Sequence, residues 1–395
     1  MQVIDARADT ARINQLFYRH IPESGLRNYW HPVAMSRDIT EQPTAMTLMG
    51  DPVVLLRRQG RAYAMRNECP HRGTRLSKGS CEFPGSRTIT CRYHGWTFDV
   101  ADGRLVAALT DGPDSPIVGK ARVRTYPVEE RKGIVWIWLA DSAPVPVEQD
   151  IPNGLLQADE VHTVRRIAPG NWRWHVENPG LGHATFLHRD SAYMRIVDMF
   201  GYAQGPHAVL GQEGEDGEWL MEKFEAMGSN RDYPGLGQWP RHRFGEFIPL
   251  GDFVGGPMGV RTIVSVRLPG IVRVARFPIE GALYYEWFVQ TDADHYLYFQ
   301  VACGYPKTWL QRASWLTRFF AWGRWAGMVR FNAQDLDMTE DSHAYAKTHG
   351  SNDPAPLYRP DGFQLAWRRY AVDHLRGGHG TSLHSDRAVP QTATS

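Results

Sequence analysis

The stretch CPHRGTRLSKGSCEFPGSRTITCRYHGW, residues 69–96, contains two short motifs that each combine one cysteine with one histidine. The first motif is Cys-x-His, the second is Cys-x2-His, and nineteen residues separate them. Structural zinc sites usually take cysteine pairs and histidine pairs from separate short loops. Here each loop supplies one thiol and one imidazole, so the spacing predicts a metal group that binds both ligand types.

The ligand mixture favours a [2Fe–2S] cluster of the Rieske type, in which two thiolates bind one iron and two imidazoles bind the other. Cys69 and Cys91 are the expected ligands of the first iron, and His71 and His94 are those of the second. Neutral imidazoles leave the cluster less negative than four thiolates do, which raises its reduction potential. A zinc ribbon is the alternative interpretation, and Cys81, between the two motifs, is expected to bind no metal.

The composition indicates a protein with substantial cores and balanced charge. The chain has 395 residues, 42% of them hydrophobic, and a formal net charge of +1, which gives no support for a nucleic-acid or membrane partner. The first residues carry charges where a signal peptide has an apolar segment, and Arg324 and Arg330 interrupt the most apolar region. Three of the four cysteines lie within residues 69–91, which favours metal binding in a reducing, cytoplasmic environment over disulfide bonds.

The strand and helix patterns predict an α+β protein. Residues 1–25 read as a helical arm, and residues 26–143, where PVVLLRR and RAYAMRN flank a QG turn, predict a small all-β domain. Residues 144–375 predict a larger domain with an antiparallel sheet flanked by helices, in a helix-grip-like arrangement, and its late residues 308–346 have a helical period. The tail 376–395, rich in Gly, Ser, Thr and His, is expected to be disordered.

A second pair of histidines lies in ENPGLGHATFLH, residues 177–188. In a regular helix, side chains five positions apart, like those of His183 and His188, point in directions about 140° apart and cannot reach one ion. A shared metal site therefore predicts a loosened segment, a π-bulge or a broken turn, which Gly180 and Gly182 would allow. The alternative is a pair of packed or surface histidines that bind no metal.

The chain resembles the Rieske non-haem iron oxygenases. The resemblance rests on NYWHPV, CPHRG, CRYHGWTFD and NWRWHVEN and covers most of the chain. It is closest to the single-subunit type of terminal oxygenase, to which the carbazole, dicamba and ketosteroid oxygenases belong. It implies that residues 26–143 form the Rieske domain and that residues 144–375 form the catalytic domain. There, His183 and His188 would bind a mononuclear Fe(II) together with one carboxylate.

The third iron ligand is expected in RFNAQDLDMTEDSH, residues 330–343. Four acidic side chains compete there: Asp335, Asp337, Glu340 and Asp341. The FNxxD-like run of the family implies Asp335, with Asp337 as the runner-up. Asn332, one turn earlier, is expected to line the pocket or to contact an iron ligand.

The chain departs from the family pattern at position 180. The family places an aspartate there, which links the first iron-binding histidine to a cluster histidine of the neighbouring subunit, whereas Gly180 has no side chain for this role. Three interpretations remain open. Glu177 or a carboxylate from elsewhere replaces the aspartate, a water held by Asn178 joins His94 to His183, or the enzyme is slow or inactive.

These features predict the terminal oxygenase component of a multi-protein system that uses dioxygen. The chain has no convincing Gly-rich dinucleotide fingerprint, so electrons from NAD(P)H are expected to arrive through a partner ferredoxin and/or reductase. Family analogy implies a homotrimer in which three copies close into a ring. The expected substrate is a small aromatic or cyclic compound, and hydroxylation or O- or N-demethylation is favoured over cis-dihydroxylation by a ring dioxygenase. The rival of another class is an electron-transfer or redox-sensing protein with an inactive second domain.

Overall fold

The two Cys–His motifs lie in one compact unit of the chain, and the histidine pair His183 and His188 lies in another. The computed structural model describes residues 2–3, 10–178, 183, 186–197, 202–204, 207–212, 214–223, 226–228, 232–238, 258, 264–350, 358 and 361–377. The cysteine unit, which contains all four cysteines, consists of Glu23–Trp172 and Ala282–Leu316. The histidine unit, which contains His183 and His188, consists of Met1–Pro22, Arg173–Gly281 and Thr317–Ser395.

The helices of the described residues lie near the start, in the middle and at the end of the chain. The helices are α1 Thr10–His20, α2 Asn153–Gln157, α3 Trp172–Glu177, α4 Ala192–Val197, α5 Trp309–Arg318, the π-helix Phe319–Phe331, α6 Asn332–His349 and α7 Gly362–His374. Short 3-10 turns cover Ser36–Asp38, Leu76–Lys78, Val147–Gln149 and Gly214–Asp216.

The strands are β1 Gln2–Val3, β2 Trp30–Met35, β3 Thr44–Leu48, β4 Asp51–Arg58, β5 Arg61–Arg66, β6 Thr88–Thr90, β7 Trp96–Asp99, β8 Leu105–Ala108, β9 Thr125–Tyr126, β10 Val128–Arg131 and β11 Ile134–Trp138. They continue with β12 Glu160–Pro169, β13 Tyr202–Gln204, β14 His207–Gln212, β15 Glu218–Lys223, β16 Ala226–Gly228, β17 Asp232–Tyr233, β18 Gly237–Gln238, β19 Val264–Arg267, β20 Ile271–Ala275, β21 Ala282–Gln290 and β22 His295–Gly304.

Small antiparallel sheets build the first part of the cysteine unit. Their strand orders are β3-β4-β5-β9, β6-β7-β8 and β10-β11-β2. The predicted hairpin is confirmed, because β4 and β5 pair antiparallel up to Arg58 and Arg61, on either side of the QG turn. Apolar side chains of the first two of these sheets share one core with Cys69 and Cys91. Both cysteines therefore lie at fixed places between packed strands.

Three further strands of the cysteine unit come from distant parts of the chain. β22 pairs antiparallel with β21, to which a short turn connects it, and also with β12, from Glu160 opposite Gly304 to Pro169 opposite His295. The pairing of β12 with β22 draws residues 282–316 into the same unit as residues 23–172. The domain boundaries expected after residues 25 and 143 stay predictions.

The histidine unit combines an antiparallel sheet with helices. Its strands follow the order β1-β14-β15-β19-β20, helix α1 packs against α7, and α4 packs against the π-helix. The predicted α+β class is therefore confirmed. Among the helices of the described ranges, none has both the length and the apolar character needed to cross a bilayer. Most of the tail expected to be disordered, from residue 378, lies outside the described residues.

The helical segment predicted over residues 308–346 is confirmed, but its middle is not an α-helix. α5, the π-helix and α6 follow one another without a break. The periodicity of apolar residues does not predict the π segment. Small residues allow close packing there, since a Cβ added at Gly327 would lie 2.6 Å from Pro278 Cβ. The π-helix ends at Phe331, so Asp335 lies in the first turn of α6.

Two glycines in the Cys–His loops provide a test of local packing. Gly73 and Gly95 both have a left-handed backbone, with φ of +69° and +66°, so alanine at either position costs about 1 kcal/mol in strain. An added Cβ meets nothing within 4 Å at Gly73 but lies 2.8 Å from Leu109 Cβ at Gly95. We expect Gly95→Ala to lower the free energy of unfolding by about 1–3 kcal/mol more than Gly73→Ala, because Leu109 must move.

This difference is measured by denaturant unfolding of the two variants and the wild type, followed by tryptophan fluorescence. Gly73→Ala is the matched control because it carries the same backbone strain without the clash. Equal loss of stability in the two variants would contradict the packing explanation.

Candidate metal centres

The Cys–His loops are closed by reciprocal backbone hydrogen bonds. In the first loop, the Cys69 amide donates to the Thr74 carbonyl and the Gly73 amide donates to the Cys69 carbonyl, both at 2.8 Å. In the second loop, the Cys91 amide donates to the Trp96 carbonyl at 2.7 Å, and the Gly95 amide donates back to the Cys91 carbonyl at 3.0 Å. These bonds close each loop into a tight turn that contains both its cysteine and its histidine.

The thiols and the imidazoles of these loops form two separate pairs. Cys69 and Cys91 are buried, each with 2% of its surface exposed. His71 is exposed, His94 is half-buried, and their ring centroids are 4.7 Å apart. Burial raises the pKa of the Cys69 thiol to about 11, and the adjacent Cys91 adds to the increase. A bound cation would reverse this preference, because a metal-bound thiol is deprotonated.

This arrangement fits a [2Fe–2S] cluster with an inner thiolate side and an outer imidazole side. Four ligands gathered around a single zinc ion would instead place thiols and imidazoles at the corners of one tetrahedron. Cys81 takes no part in either pair, since its half-buried Sγ donates to the Phe83 carbonyl at 3.2 Å.

Aromatic rings hold both imidazoles of the loops. Trp96 stacks on His71 with centroids 4.7 Å apart and planes inclined by 9°, and Tyr93 packs on His94 with centroids 3.7 Å apart. Stacking on Trp96 restricts the rotation of the His71 ring, and the contact with Tyr93 restricts that of the His94 ring. The role of Trp96 was not anticipated from the sequence, although the GW dipeptide next to His94 was a visible signal.

Three side chains of the histidine unit converge on one point. The Nε2 atoms of His183 and His188 lie 3.3 Å and 3.2 Å from Oδ1 of Asp335. The three ligand atoms are within 4.8 Å of one another. Ser191 follows His188 closely and starts α4, where its Oγ accepts a hydrogen bond from the Met194 amide at 3.2 Å.

The chemistry of this group fits a divalent metal ion. His188 is fully buried, and its Nε2 makes no hydrogen bond within the described part of the chain, although it points at the carboxylate. A buried imidazole nitrogen in that state needs a partner. Burial raises the pKa of the Asp335 carboxyl, but the facing imidazoles of His183 and His188 outweigh burial and hold it well below its usual range. Two imidazoles and one carboxylate form the ligand set of mononuclear non-haem iron sites.

Neighbouring side chains orient the buried imidazole. The Nδ1–H group of His188 donates to Oε1 of Gln334 at 2.9 Å, which leaves Nε2 as the metal-binding nitrogen. Phe331 stacks on His188 with ring centroids 3.5 Å apart. Sequence reasoning missed both residues, although each lies within four positions of Asp335.

Burial distinguishes Asp335 from the other three acidic residues that compete for the third ligand position. Asp335 is 6% exposed, whereas Asp337, Glu340 and Asp341 are exposed. Asn332, one turn before Asp335, is buried. Asp335 is thus the acid of α6 that the structure brings to the two histidines.

The neighbours Asn178 and Glu177 point to different partners. Asn178 lies at the converging group: its Nδ2 donates to Oδ1 of Asp335 at 3.0 Å and is 3.5 Å from His183 Nε2. Glu177 does not join this group. Both of its carboxylate oxygens accept hydrogen bonds from Arg368, and one also accepts from Gln364. The structure therefore does not favour Glu177 as the bridging carboxylate.

The glycines of this segment are the residues expected to loosen it. Gly180 and Gly182 lie outside the described residues, as do their neighbours Pro179 and Leu181. The loosened helix expected between His183 and His188 includes residues 184 and 185, which also lie outside the described residues, so it stays a prediction.

Comparisons with known proteins identify the two parts of the chain. Residues 29–127 match the family model described as Rieske [2Fe-2S] domain, and residues 138–379 match the one described as homotrimeric ring hydroxylase. The terminal oxygenase component of carbazole 1,9a-dioxygenase from Sphingomonas sp. is 31% identical over 89% of this chain and 93% of its own length.

Solved structures agree with these matches. The terminal oxygenase of carbazole 1,9a-dioxygenase from Novosphingobium sp. KA1 has a TM-score of 0.79 and 28% identity, over 94% of this chain and 99% of that one. A carbazole-bound variant oxygenase in complex with ferredoxin has a TM-score of 0.76 and 28% identity, over 90% of this chain and 91% of that one. The chain belongs to the Rieske non-haem iron oxygenases, whose terminal oxygenases combine a [2Fe–2S] cluster with a mononuclear iron.

Proposed function

We propose that this protein is a terminal oxygenase that adds both atoms of dioxygen to a small planar aromatic compound. The observation that carries the proposal is the presence of two different ligand sets in one chain. One is a pair of buried thiols with a pair of outward imidazoles, and the other is a group of two histidines and one aspartate. When bound, the cluster and the iron supply the one-electron steps through which dioxygen reacts with the substrate.

The proposed ligands of the mononuclear iron are His183, His188 and Asp335. Asn178 holds the Asp335 carboxylate by donating to Oδ1, and Gln334 holds the proton of His188 on Nδ1. These contacts fix two of the three ligands in the protonation state that binds metal. Two histidines and one carboxylate of this kind would leave open positions on a bound iron for dioxygen and substrate.

An aromatic substrate class is supported by the rings next to His188. Phe331, which stacks on His188, is 5.1 Å from Tyr193 and 5.4 Å from Phe277 between ring centroids. We infer that these rings border the substrate site, because aromatic side chains bind flat apolar molecules by burial and ring contacts. The carbazole-bound neighbour adds support, since carbazole is a flat apolar molecule.

Electron supply is proposed to come from a ferredoxin that an NAD(P)H-dependent reductase reduces. The support is the outward position of His71 and His94 and the ferredoxin complex of the neighbouring structure.

A homotrimer is proposed from the family's description as homotrimeric, with the cluster of one subunit serving the iron of the next. A cytoplasmic location is proposed because the four cysteines are free, as is usual in the reducing cytoplasm.

Monooxygenation is the second candidate reaction. The sequence favours it, whereas the relative that matches over most of both chains is a dioxygenase. Product masses separate the two reactions. We expect the purified oxygenase, with a ferredoxin, a reductase, NADH and a panel of fused aromatic and heteroaromatic compounds, to give products with two added oxygen atoms. One added oxygen or a lost methyl group would identify the second candidate, and no oxygen consumption with any compound would count against both.

The iron assignment predicts different effects for two neighbouring acids. We expect Asp335→Ala to reduce the iron content from about three to about two per chain, because the cluster keeps its own two irons. Asp337→Ala is the matched control, since it removes an exposed carboxylate two positions away. Iron analysis and the visible absorption of the cluster measure both effects. Retention of three irons in Asp335→Ala would make the assignment wrong.

Asn178 is expected to contribute to iron binding without being a ligand. We expect Asn178→Leu to weaken Fe(II) binding about 10–100-fold, because Asp335 loses a hydrogen bond that orients it. Asn171→Leu is the control: Asn171 lies just before the other end of α3, is buried and donates to the Glu23 carbonyl at 3.0 Å. Titration with Fe(II) of protein that holds only the cluster gives both affinities. Equal affinities of the two variants would remove Asn178 from the site.

A further inference from the structure

We propose that the buried ion pair between Arg368 of α7 and Glu177 of α3 is a positioning pair that sets the iron affinity of the neighbouring site through Asn178. The proposal rests on the assignment of His183, His188 and Asp335 as iron ligands. It adds a positioning role for helix α7 to that assignment. Neither residue of the pair contacts the three proposed ligands within the described part of the chain.

Two hydrogen bonds join the side chains of the pair. Arg368 donates from Nε to Oε1 and from Nη2 to Oε2 of Glu177, both at 2.7 Å. Gln364, one turn earlier on the same face of α7, donates to Oε2 at 2.8 Å. The side chains of Arg368 and Glu177 are only 5% and 4% exposed. A two-bond contact of this kind fixes the direction of the carboxylate as well as its distance.

The guanidinium is itself held from the other side. Arg368 Nη1 donates to Asn14 Oδ1 of α1 at 2.7 Å. The same guanidinium lies over the rings of Tyr18 and Phe17, at 5.2 Å and 5.5 Å from their centroids. Burial lowers the pKa of Arg368, but the charge of Glu177 outweighs burial and raises it above its usual value. α1 and α7 thus form a platform on which the end of α3 is fastened.

One peptide bond connects this platform to the iron site. Glu177 is the last residue of α3, and its Cα is therefore about 3.8 Å from that of Asn178. The Asn178 amide donates to the His175 carbonyl at 3.1 Å, which continues the turn of the helix. With the backbone held at both positions, the Asn178 side chain is directed at Oδ1 of Asp335, 3.0 Å from Nδ2. Displacement of Glu177 would move this donor away from the carboxylate.

A second contact between α3 and α6 limits the expected effect. The Thr339 hydroxyl donates to the backbone carbonyl of Asp335 at 2.9 Å, and its Oγ1 is 3.4 Å from Nδ1 of His175. This contact holds the backbone of Asp335, whereas Asn178 holds its carboxylate. Loss of the ion pair is therefore expected to weaken iron binding without abolishing it.

The histidine unit offers a matched pair for comparison. Arg273 of β20 and Asp216 are joined at 2.9 Å, and both side chains are 0% exposed. Arg273 also donates to Ser265 at 2.7 Å and lies over the ring of Trp219. Both pairs can be replaced by apolar residues of similar size, which avoids leaving one charge buried without its partner.

The experiment compares Glu177→Leu/Arg368→Met with Asp216→Leu/Arg273→Met and the wild type. Each protein is freed of its mononuclear iron, retains its cluster, and is titrated with Fe(II) and separately with Co(II), whose visible spectrum reports ligand geometry. We expect the first double variant to bind Fe(II) about 10–100-fold more weakly and to show an altered Co(II) spectrum. The second is expected to match the wild type in both. Thermal unfolding gives the stability of each protein.

Two milder variants decide the question if the first double variant does not fold. Arg368→Lys keeps the charge but cannot contact both oxygens in the same way, and Gln364→Met removes one neutral donor. We expect each to weaken Fe(II) binding, by less than the double variant. Wild-type affinity and spectrum in these variants would overturn the proposal. Equal losses in the two double variants would also overturn it, because the effect would then be one of general stability.

The outcome for the positioning pair is separable from that for the iron site. If the wild type itself binds neither Fe(II) nor Co(II) at His183, His188 and Asp335, the proposed function fails. If the wild type binds both ions and the variants bind them equally well, only the role of Arg368 and Glu177 is wrong.

Discussion

The convergence of His183, His188 and Asp335 is the constraint on which the histidine unit depends. Two of these residues are five positions apart and the third lies far along the chain, yet their ligand atoms are within 4.8 Å of one another. Two imidazoles and a carboxylate in an apolar setting are costly unless a cation joins them. The surrounding helices offset this cost with directed contacts: Gln334 on His188, Asn178 on Asp335 and Thr339 on the backbone of α6.

The cysteine unit is under a different constraint, because an electron carrier must shield its cluster from water and still exchange electrons. Cys69 and Cys91 lie in the core of the small sheets, where water has little access. His71 and His94 lie at the outer side and are held by Trp96 and Tyr93. The order of thiol and imidazole within each loop, together with the tight turns at Gly73 and Gly95, produces this polarity. The same four ligands around one zinc ion would have no inner and outer side.

The sequence predicted the local parts of this structure better than the distant ones. Motif spacing predicts the two loops, and the QG turn between two strand-like runs predicts the β4–β5 hairpin, because both depend on residues close in the chain. The choice of Asp335 over three other acids of α6 depended on the family resemblance, since periodicity does not say which face of a helix is buried. The partner of Glu177 was not predictable, because Arg368 is 191 positions away. The joining of β12 with β22 and the π-helix before α6 likewise depend on tertiary packing.

The placement of Glu177 narrows the question raised by Gly180. A carboxylate next to an iron site can replace a missing aspartate only if no other partner holds it, and Arg368 holds Glu177. Breaking a buried ion pair costs about 3–5 kcal/mol, and Glu177 would in addition give up the hydrogen bond from Gln364 to turn toward His183. Asn178 needs no such change, because its amide is already 3.5 Å from His183 Nε2 and 3.0 Å from Asp335 Oδ1. Within residues 177–178, we therefore propose that the Asn178 amide serves the metal site and that the charge of Glu177 serves the helix that holds this amide in place.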